Sequence, residues 1–195
     1  MILGITGGFG CGKSTVLRFF ESRNFLTLDA DAVCHSFYDN RHPLLMQCIR
    51  EHFGAQVFAV DGSVKRKELA AVLFDMPEKM KLITDVMYPL LTEHIINTVA
   101  VCRQKKKHGS FEIPLLYEVG FEKYFDAVLA VWCPDELRKK RLLNRNFTPA
   151  ETARRDRMQL TPDFKLEKAD FAVINNGSKA DLTAQLEELI RQLGI

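Results

Sequence analysis

The residues with the most specific chemistry lie near the amino terminus, where the chain has the sequence Gly7-Gly8-Phe9-Gly10-Cys11-Gly12-Lys13-Ser14-Thr15. The spacing matches the phosphate-loop pattern G-x-x-x-x-G-K-[ST]. Glycines let the backbone curl so that successive N–H groups point at phosphate oxygens, and a helix that begins here adds the positive end of its dipole. In this pattern Lys13 bridges the β- and γ-phosphates and the Ser14 hydroxyl holds Mg²⁺.

Phosphate binding by itself leaves molecular switches, motors and kinases open. A GTP-driven switch would be expected to carry an Asn-Lys-x-Asp motif for the base and an Asp-x-x-Gly turn, and neither string occurs in the sequence. The missing motifs therefore argue against a GTP-driven switch. Cys11 adds a second possibility inside the loop, because a thiolate is favoured near a helix N-terminus. The alternative is that Cys11 is simply a small residue that fits there.

Two carboxylates, Asp29 and Asp31, follow the second predicted strand. The carboxyl end of a strand is the usual ligand position in open α/β folds, and a carboxylate there can orient or deprotonate an attacking hydroxyl. The structural alternative for Asp31 is that it is the N-cap of a helix from Ala32 onward. The alternative for Asp29 is that it contacts a site residue and not the ligand. Both interpretations of each residue stay open at this point.

The elements that must position these residues alternate between strands and helices. Short aliphatic and β-branched runs predict strands at residues 2–6, 25–29, 110–113, 127–132 and 171–174. Segments with apolar residues at helical spacing lie between most of them. This alternation predicts an α/β fold with a parallel sheet covered by helices.

A helical insertion of about 80 residues separates the second strand from the third. Helix starts are predicted at Pro43, at Pro77 with Asp75 as the cap, and at Pro89. The last of these helices is expected to end in the lysine run 105–107, with Gly109 in the left-handed position after it. A tight turn is expected at Asp61-Gly62.

Residues 138–168 are strongly basic, with ten Lys and Arg against four Asp and Glu. This segment therefore has a net charge of +6, in a chain whose total is +2. Thr148 and Glu151, with Pro149 between them, fit a capping box, so we expect two helices hinged near residues 146–148. A polyanion is the ligand that such a segment favours.

Composition and length exclude several classes of protein. The chain has 195 residues and 47% hydrophobic residues, which is enough for one sizeable core and too many for disorder. The longest apolar run, residues 127–133, is far shorter than the roughly 20 residues of a membrane helix, and no export signal is apparent. With five scattered cysteines and no zinc-binding pattern, the sequence predicts a cytoplasmic protein with reduced thiols. We expect it to bind neither a membrane nor a nucleic acid.

Several motifs together resemble those of the dephospho-coenzyme A kinase family. They are GITGGFGCGKSTV, LDADAV, IPLLYE at residues 113–118, RLLNR at residues 141–145 and EKADFAVINNG at residues 167–177, in that order. The similarity spans nearly the whole chain. The phosphate loop occurs in many enzymes, whereas the combination of DAD after the second strand and PLL-x-E after the third is much more specific to this family.

The resemblance implies transfer of the γ-phosphoryl group of ATP to the ribose 3′-hydroxyl of dephospho-coenzyme A, with Mg²⁺ as the cofactor. It implies a P-loop nucleotide-kinase-like three-layer fold with a five-stranded parallel sheet. The single kinase domain, residues 1–195, would consist of a core (1–31, 109–137 and 169–195), a helical acceptor-binding insertion (about 32–108) and a basic lid (about 138–168). The oligomeric state expected is a monomer or a small homo-oligomer.

The resemblance also implies roles for particular residues. Asp31 would be the catalytic base, Lys13 and Arg145 would act on the phosphates, and Glu112 would join Ser14 in holding Mg²⁺, acting through water. The ATP-binding residues would be Gly8, Gly10, Cys11, Gly12, Lys13, Ser14, Thr15, Arg145 and Asn175. The sequence departs from the family at two places: Ile174 replaces an aspartate near the adenine, and Tyr88 stands where histidine is common.

Two other functions remain as alternatives. A nucleoside or nucleoside monophosphate kinase has the same core with a similar loop and lid. A binding module could instead grip RNA or DNA with the basic segment 138–168, although that segment lacks the interleaved aromatic residues that stack on bases.

Overall fold

The computed structural model describes the backbone of residues 1–195 and every side chain except those of residues 74, 75 and 77. The predicted cap at Asp75 is therefore outside the described side chains. The chain forms two compact units: residues 1–29 together with 98–195, and residues 30–97. The first unit contains the whole sheet.

Five parallel strands form the sheet, as the sequence predicts. They are β1 (Ile2–Gly7), β2 (Leu26–Asp29), β3 (Gly109–Glu112), β4 (Ala127–Trp132) and β5 (Phe171–Ile174), in the spatial order β2-β3-β1-β4-β5. Strand β1 is central and buried at every position, which is why it is a nearly continuous apolar run and shows no alternation. The α/β fold class is confirmed.

Helices lie between and after the strands along the chain. They are α1 (Lys13–Ser22), α2 (Ala30–Asp39), α3 (Pro43–Phe53), α4 (Arg66–Asp75), α5 (Pro77–Gln104), α6 (Asp135–Leu143), α7 (Pro149–Arg157), α8 (Pro162–Lys168) and α9 (Lys179–Leu193). Among the described helices, none is both long enough and apolar enough to cross a bilayer.

The sheet packs against α1 and α9 through one apolar cluster. Its fully buried members include Leu3 and Ile5 of β1, Val16 and Phe20 of α1, and Leu129 of β4. Because these side chains fix α1 against the end of β1, they also fix the loop that joins the two elements.

The second unit has a core of its own. Leu45, Ile49, Val57 and Leu69 are buried there with other apolar residues of α3, α4 and α5. The predicted tight turn is present, because Gly62 has a φ of 79° and the Asp61 carboxylate accepts the Ser63 backbone N–H at 3.0 Å.

Two predicted helix boundaries are wrong. Pro89 lies inside α5 and does not begin a helix; the turns on both sides of it are helical, although proline removes one internal hydrogen bond. Gly109 is the first residue of β3, and the left-handed residue after α5 is Lys106, with a φ of 51°. Gly109 lacks a side chain for a different reason: a Cβ there would lie 2.8 Å from Phe111 and 3.0 Å from Cys102.

The predicted hinge in the basic segment is confirmed between α6 and α7, but the expectation of two helices is wrong, because α8 is a third helix in this segment. Asn146 has a φ of 64°, so the backbone reverses there. The Thr148 hydroxyl accepts the Glu151 backbone N–H at 3.2 Å, and the Glu151 carboxylate accepts the Thr148 N–H at 2.8 Å. Pro149 occupies the first turn of α7, as the capping box requires.

Candidate active site

The phosphate loop connects β1 to α1 and has the backbone conformation that its glycines predict. Gly10 and Gly12 have φ values of 86° and 102°, a region that favours glycine. A Cβ at Gly12 would also lie 2.2 Å from the Asn175 side-chain nitrogen. Two requirements therefore coincide at Gly12: a left-handed backbone and a close neighbour.

Lys13 is held at the base of this loop. Its side chain is buried, and its ammonium group donates to the carbonyl oxygens of Gly7 and Gly8, at 3.1 Å each. These carbonyl dipoles accept two of its three N–H donors but do not neutralise its charge. The loop therefore favours an anionic ligand, as expected for a phosphate site.

The two predicted metal ligands lie side by side. The Ser14 hydroxyl donates to Glu112 Oε1 at 3.2 Å, and Glu112 is buried at the end of β3. Asp29 is the register partner of Glu112 on β2, which places a second carboxylate on the neighbouring strand. Oxygen donors of this kind are the ligands that Mg²⁺ prefers, so Ser14 and Glu112 fit the predicted ion.

A cavity of about 680 Å³ opens beside the loop. Six of the residues predicted to bind ATP line it: Gly10, Gly12, Ser14, Thr15, Arg145 and Asn175. Four cationic side chains also line it: Arg18, Arg141, Arg145 and Lys179. This charge suits a polyphosphate, and the volume is within the range of small-molecule sites.

Arg145 lies at the edge of the α6–α7 hinge, where its guanidinium carbon is 5.7 Å from the centre of the Phe147 ring. It is exposed, in contrast to the buried Lys13. Arg145 therefore lines the cavity from the hinge side.

Asn175 joins the loop to the sheet. Its side-chain nitrogen donates to the Cys11 carbonyl at 2.8 Å, and its backbone N–H donates to the Trp132 carbonyl at 2.7 Å. Arg141 donates to both oxygens of Asn175, at 2.9 and 3.2 Å. The structure thus gives Asn175 a place in the cavity wall and a hydrogen bond to the phosphate loop.

The Cys11 thiol is more acidic than an ordinary cysteine. A hydrogen bond from the Cys133 thiol, together with the nearby charge of Lys13, lowers the pKa of Cys11 from 9.0 to about 7 against the opposing effect of burial. Cys133 shows the converse effect, since the hydrogen bond that it donates to Cys11 raises its pKa. The main cause at Cys11 is therefore a partner thiol distant in the sequence.

Asp31 belongs to the second compact unit, in the first turn of α2. Because α2 begins at Ala30, Asp31 is not the N-cap of a helix from Ala32, and that structural alternative is wrong. The remaining predicted site residues, Gly8 to Thr15 among them, belong to the first unit with Glu112, Arg145 and Asn175.

Sequence reasoning missed a buried ion pair next to the loop. Lys165 of α8 is fully buried, and its ammonium donates to the Pro114 carbonyl at 2.6 Å and pairs with Glu118 at 2.8 Å. Burial lowers the pKa of Lys165, opposed by Glu118. Glu118 also accepts the Leu160 N–H at 2.8 Å, so it holds the segment before α8. The position of Lys165 in a charged stretch gave no signal of this burial.

A strand that leads through a glycine-rich loop into a helix, beside a cationic cavity at the end of a parallel sheet, defines the P-loop class of nucleotide-binding proteins. Comparison with known proteins narrows this class. The family described as dephospho-CoA kinase matches residues 1–181. An Enterococcus faecalis protein named dephospho-CoA kinase is 30% identical over 192 residues, which cover 98% of this chain and 96% of that protein.

Solved structures agree with the sequence match. A crystal structure of a Thermus thermophilus protein has a TM-score of 0.82 and 30% identity, with 99% of this chain and 97% of that chain covered. The dephospho-CoA kinase from Campylobacter jejuni has a TM-score of 0.73 and 25% identity, with 98% and 96% covered. The chain belongs to the dephospho-CoA kinase family.

Proposed function

We propose that this protein transfers the γ-phosphoryl group of ATP to the 3′-hydroxyl of the ribose of dephospho-CoA, giving CoA and ADP. The observation that carries the proposal is the family match over residues 1–181, which includes the phosphate loop. The cationic cavity beside that loop supports a polyphosphate donor.

In this proposal the phosphate loop holds the donor. The backbone N–H groups from Gly8 to Thr15 surround the phosphate oxygens, and Lys13 moves from its two carbonyl partners to the β- and γ-phosphates. Arg145 contacts the phosphates from the hinge, and Asn175 lines the nucleotide end of the cavity. These groups act by position and charge, because phosphoryl transfer asks for little covalent chemistry from the protein.

Ser14 and Glu112 would hold Mg²⁺, as their adjacent oxygens allow. The ion would supply charge neutralisation for the phosphate oxygens. The buried position of Glu112 would keep its carboxylate directed at that point.

Asp31 is the proposed catalytic base. As the 3′-oxygen of the acceptor attacks the γ-phosphorus, its proton passes to the Asp31 carboxylate. The bond between the γ-phosphorus and the bridging oxygen breaks, and the electron pair leaves with ADP. Residues 32–108 would bind the acceptor and residues 138–168 would act as a lid that limits access of water. The cytoplasmic location and the monomer or small homo-oligomer remain predictions from the sequence.

The test compares acceptors under identical conditions. Purified protein with MgATP is given dephospho-CoA, adenosine or one of the common nucleoside monophosphates, and ADP is measured over time. We expect robust turnover with dephospho-CoA and little with the others. Turnover restricted to nucleosides or monophosphates would replace the proposal with the alternative kinase.

A further inference from the structure

Arg138 of α6 is a buried cation that uses every N–H of its guanidinium. The side chain is 6% exposed. Its Nε and Nη2 donate to Asp135 Oδ1 at 3.0 and 2.5 Å, and a paired contact joins Nη1 and Nη2 to the two oxygens of Asp156, at 2.7 and 2.8 Å. The fifth N–H, on Nη1, donates to the Phe9 carbonyl at 3.2 Å. Only an arginine fork has this number and arrangement of donors.

The contact with Phe9 fixes a peptide unit of the phosphate loop. In a trans peptide the carbonyl and the following N–H point in opposite directions within one plane, and the described residues of the phosphate loop have no cis peptide bond. A donor that holds the Phe9 carbonyl therefore also sets the direction of the Gly10 N–H. Gly10 lines the cavity, so the Gly10 N–H is one of the groups that the proposed function assigns to a phosphate oxygen.

The same logic applies two residues further along the loop. The Asn175 amide holds the Cys11 carbonyl at 2.8 Å, which sets the direction of the Gly12 N–H. Phe9 and Cys11 thus have carbonyls held from outside the loop, and the glycine after each lines the cavity. Arg138 differs from Asn175 in one respect: it does not line the cavity but reaches the loop from α6.

Asp156 connects this arrangement to α7. The paired contact with Asp156 orients the Arg138 guanidinium, and Asp156 lies on α7, within the proposed lid. A second contact joins the same elements: the Phe9 ring packs edge-on against Phe147, with 5.0 Å between centroids, and Arg155 of α7 lies 4.6 Å from the Phe9 ring centre. The apex of the loop and the basic segment therefore meet through both polar and aromatic contacts.

We propose that Arg138 is a positioning residue for ATP binding: oriented by Asp156, it holds the Phe9 carbonyl and so directs the Gly10 N–H toward the bound phosphates. The inference rests on the proposed function, since it assigns ATP to the loop. Through its contacts with Asp156 and Phe9, Arg138 would couple the position of α7 to the conformation of the phosphate loop. Arg138 itself would not contact the nucleotide.

The experiment measures the Kd of MgATP by titration calorimetry, without an acceptor, for the wild type, Arg138→Lys, Asp156→Asn and the double variant. Lysine keeps the charge but cannot hold two carboxylates and the Phe9 carbonyl together. We expect Arg138→Lys to raise the Kd about tenfold and Asp156→Asn to raise it by a smaller factor. Because both act through one contact, the double variant should bind no worse than Arg138→Lys.

Arg23→Lys is the matched control. Arg23 is 46% exposed, and both of its Nη atoms donate to the Glu187 carboxylate. This variant makes the same change in another arginine–carboxylate pair, outside the cavity lining and the basic segment, so its Kd should equal that of the wild type. Thermal unfolding of each protein separates positioning from stability, since a purely structural Arg138 would lower Tm and leave the Kd of the folded protein unchanged.

The outcomes separate the inference from the function on which it rests. If the wild type binds MgATP and both single variants bind it equally well, Arg138 does not position the loop. Additive effects of the two substitutions would also overturn the link through Asp156. If the wild type does not bind MgATP at all, the proposed function fails first. If Arg138→Lys does not fold, Asp156→Asn carries the test, because Asp156 is 36% exposed and the substitution removes only its charge and one of its two acceptor oxygens.

Discussion

The side-chain amide of Asn175 donates a hydrogen bond of 2.8 Å to the carbonyl oxygen of Cys11, across 164 positions of sequence. Asn175 is in turn bound through its backbone to Trp132 and through its two oxygens to Arg141. The phosphate loop is therefore held by the ends of β4 and β5 and by α6. A loop held this way keeps its N–H groups aligned before a ligand arrives, so less reorganisation accompanies binding.

Lys13→Ala should lower kcat by about three orders of magnitude or more, because its charge acts on the transferring phosphoryl group. Its hydrogen bonds are to Gly7 and Gly8 of its own loop, so the fold should survive. Steady-state ADP formation and Tm are the measurements. Lys123→Met, at an exposed lysine above Tyr124, is the control for loss of a positive charge. A Lys13→Ala rate close to that of the wild type would be incompatible with the proposed role.

Asp31→Asn should lower kcat at least about a hundredfold, since it keeps the shape of the side chain and removes its basicity. The KM for ATP should change little. The carboxylate also lies in the first turn of α2, where its loss costs less than about 1 kcal/mol of stability, so Tm reports on that structural effect separately. A rate within about threefold of the wild type would mean that Asp31 has a structural role alone.

Ser14→Ala and Glu112→Gln should each raise the Mg²⁺ concentration needed for half-maximal rate, by about tenfold. Ser14→Ala removes the hydroxyl oxygen of the pair that lies at 3.2 Å, and Glu112→Gln removes the negative charge and one carboxylate oxygen. The measurement is the rate as a function of free Mg²⁺ at a fixed ATP concentration. Unchanged Mg²⁺ dependence in both variants would place the ion elsewhere.

Because the pKa of the Cys11 thiol is lowered in the folded protein, we expect the free energy of unfolding to depend on pH between about 7 and 9. The hydrogen bond from Cys133 holds the pKa of Cys11 at about 7, below its ordinary 9.0, so folding favours the thiolate. The stabilisation is complete above pH 9 and is lost as the pH falls through 7. Urea unfolding of the wild type and of Cys11→Ser should therefore show a difference in the free energy of unfolding that grows, in favour of the wild type, from pH 7 to pH 9.

Cys102→Ser provides a control with the opposite sign. Burial raises the pKa of Cys102, so its thiol stays neutral in the folded protein after the unfolded chain begins to ionise near pH 9. The stability of the wild type relative to Cys102→Ser should fall, not rise, at alkaline pH. If Cys11→Ser follows the same course as Cys102→Ser, the Cys11 thiolate is not stabilised in the folded state.

Local patterns predict much of this structure because their causes are local. Residues 7–14 predict the loop, since glycine conformation and helix start are decided within a few residues. The capping box at Thr148 and the turn at Gly62 follow for the same reason. The five strands are recognisable because a buried parallel sheet requires short apolar runs.

Contacts between distant residues explain what the sequence could not predict. The five donors of Arg138 end on α6, α7 and the phosphate loop, and nothing in the basic segment distinguishes it from its exposed neighbours. The burial of Lys165 could not be predicted either, because its partners Pro114 and Glu118 belong to another part of the chain. The prediction at Pro89 is wrong because proline marks the start of many helices, whereas here α5 continues on both sides of it. Leu91 and Ile95, which follow Pro89 in α5, are buried.

The most direct test of the central claim follows the transferred phosphate. The protein is incubated with ATP labelled in its γ-phosphoryl group, Mg²⁺ and dephospho-CoA, and the product is isolated and examined by phosphorus NMR. We predict that the label appears as a monoester on the ribose 3′-oxygen of CoA, with an equal amount of ADP. Label found only in inorganic phosphate, or on another oxygen of the acceptor, would contradict the account.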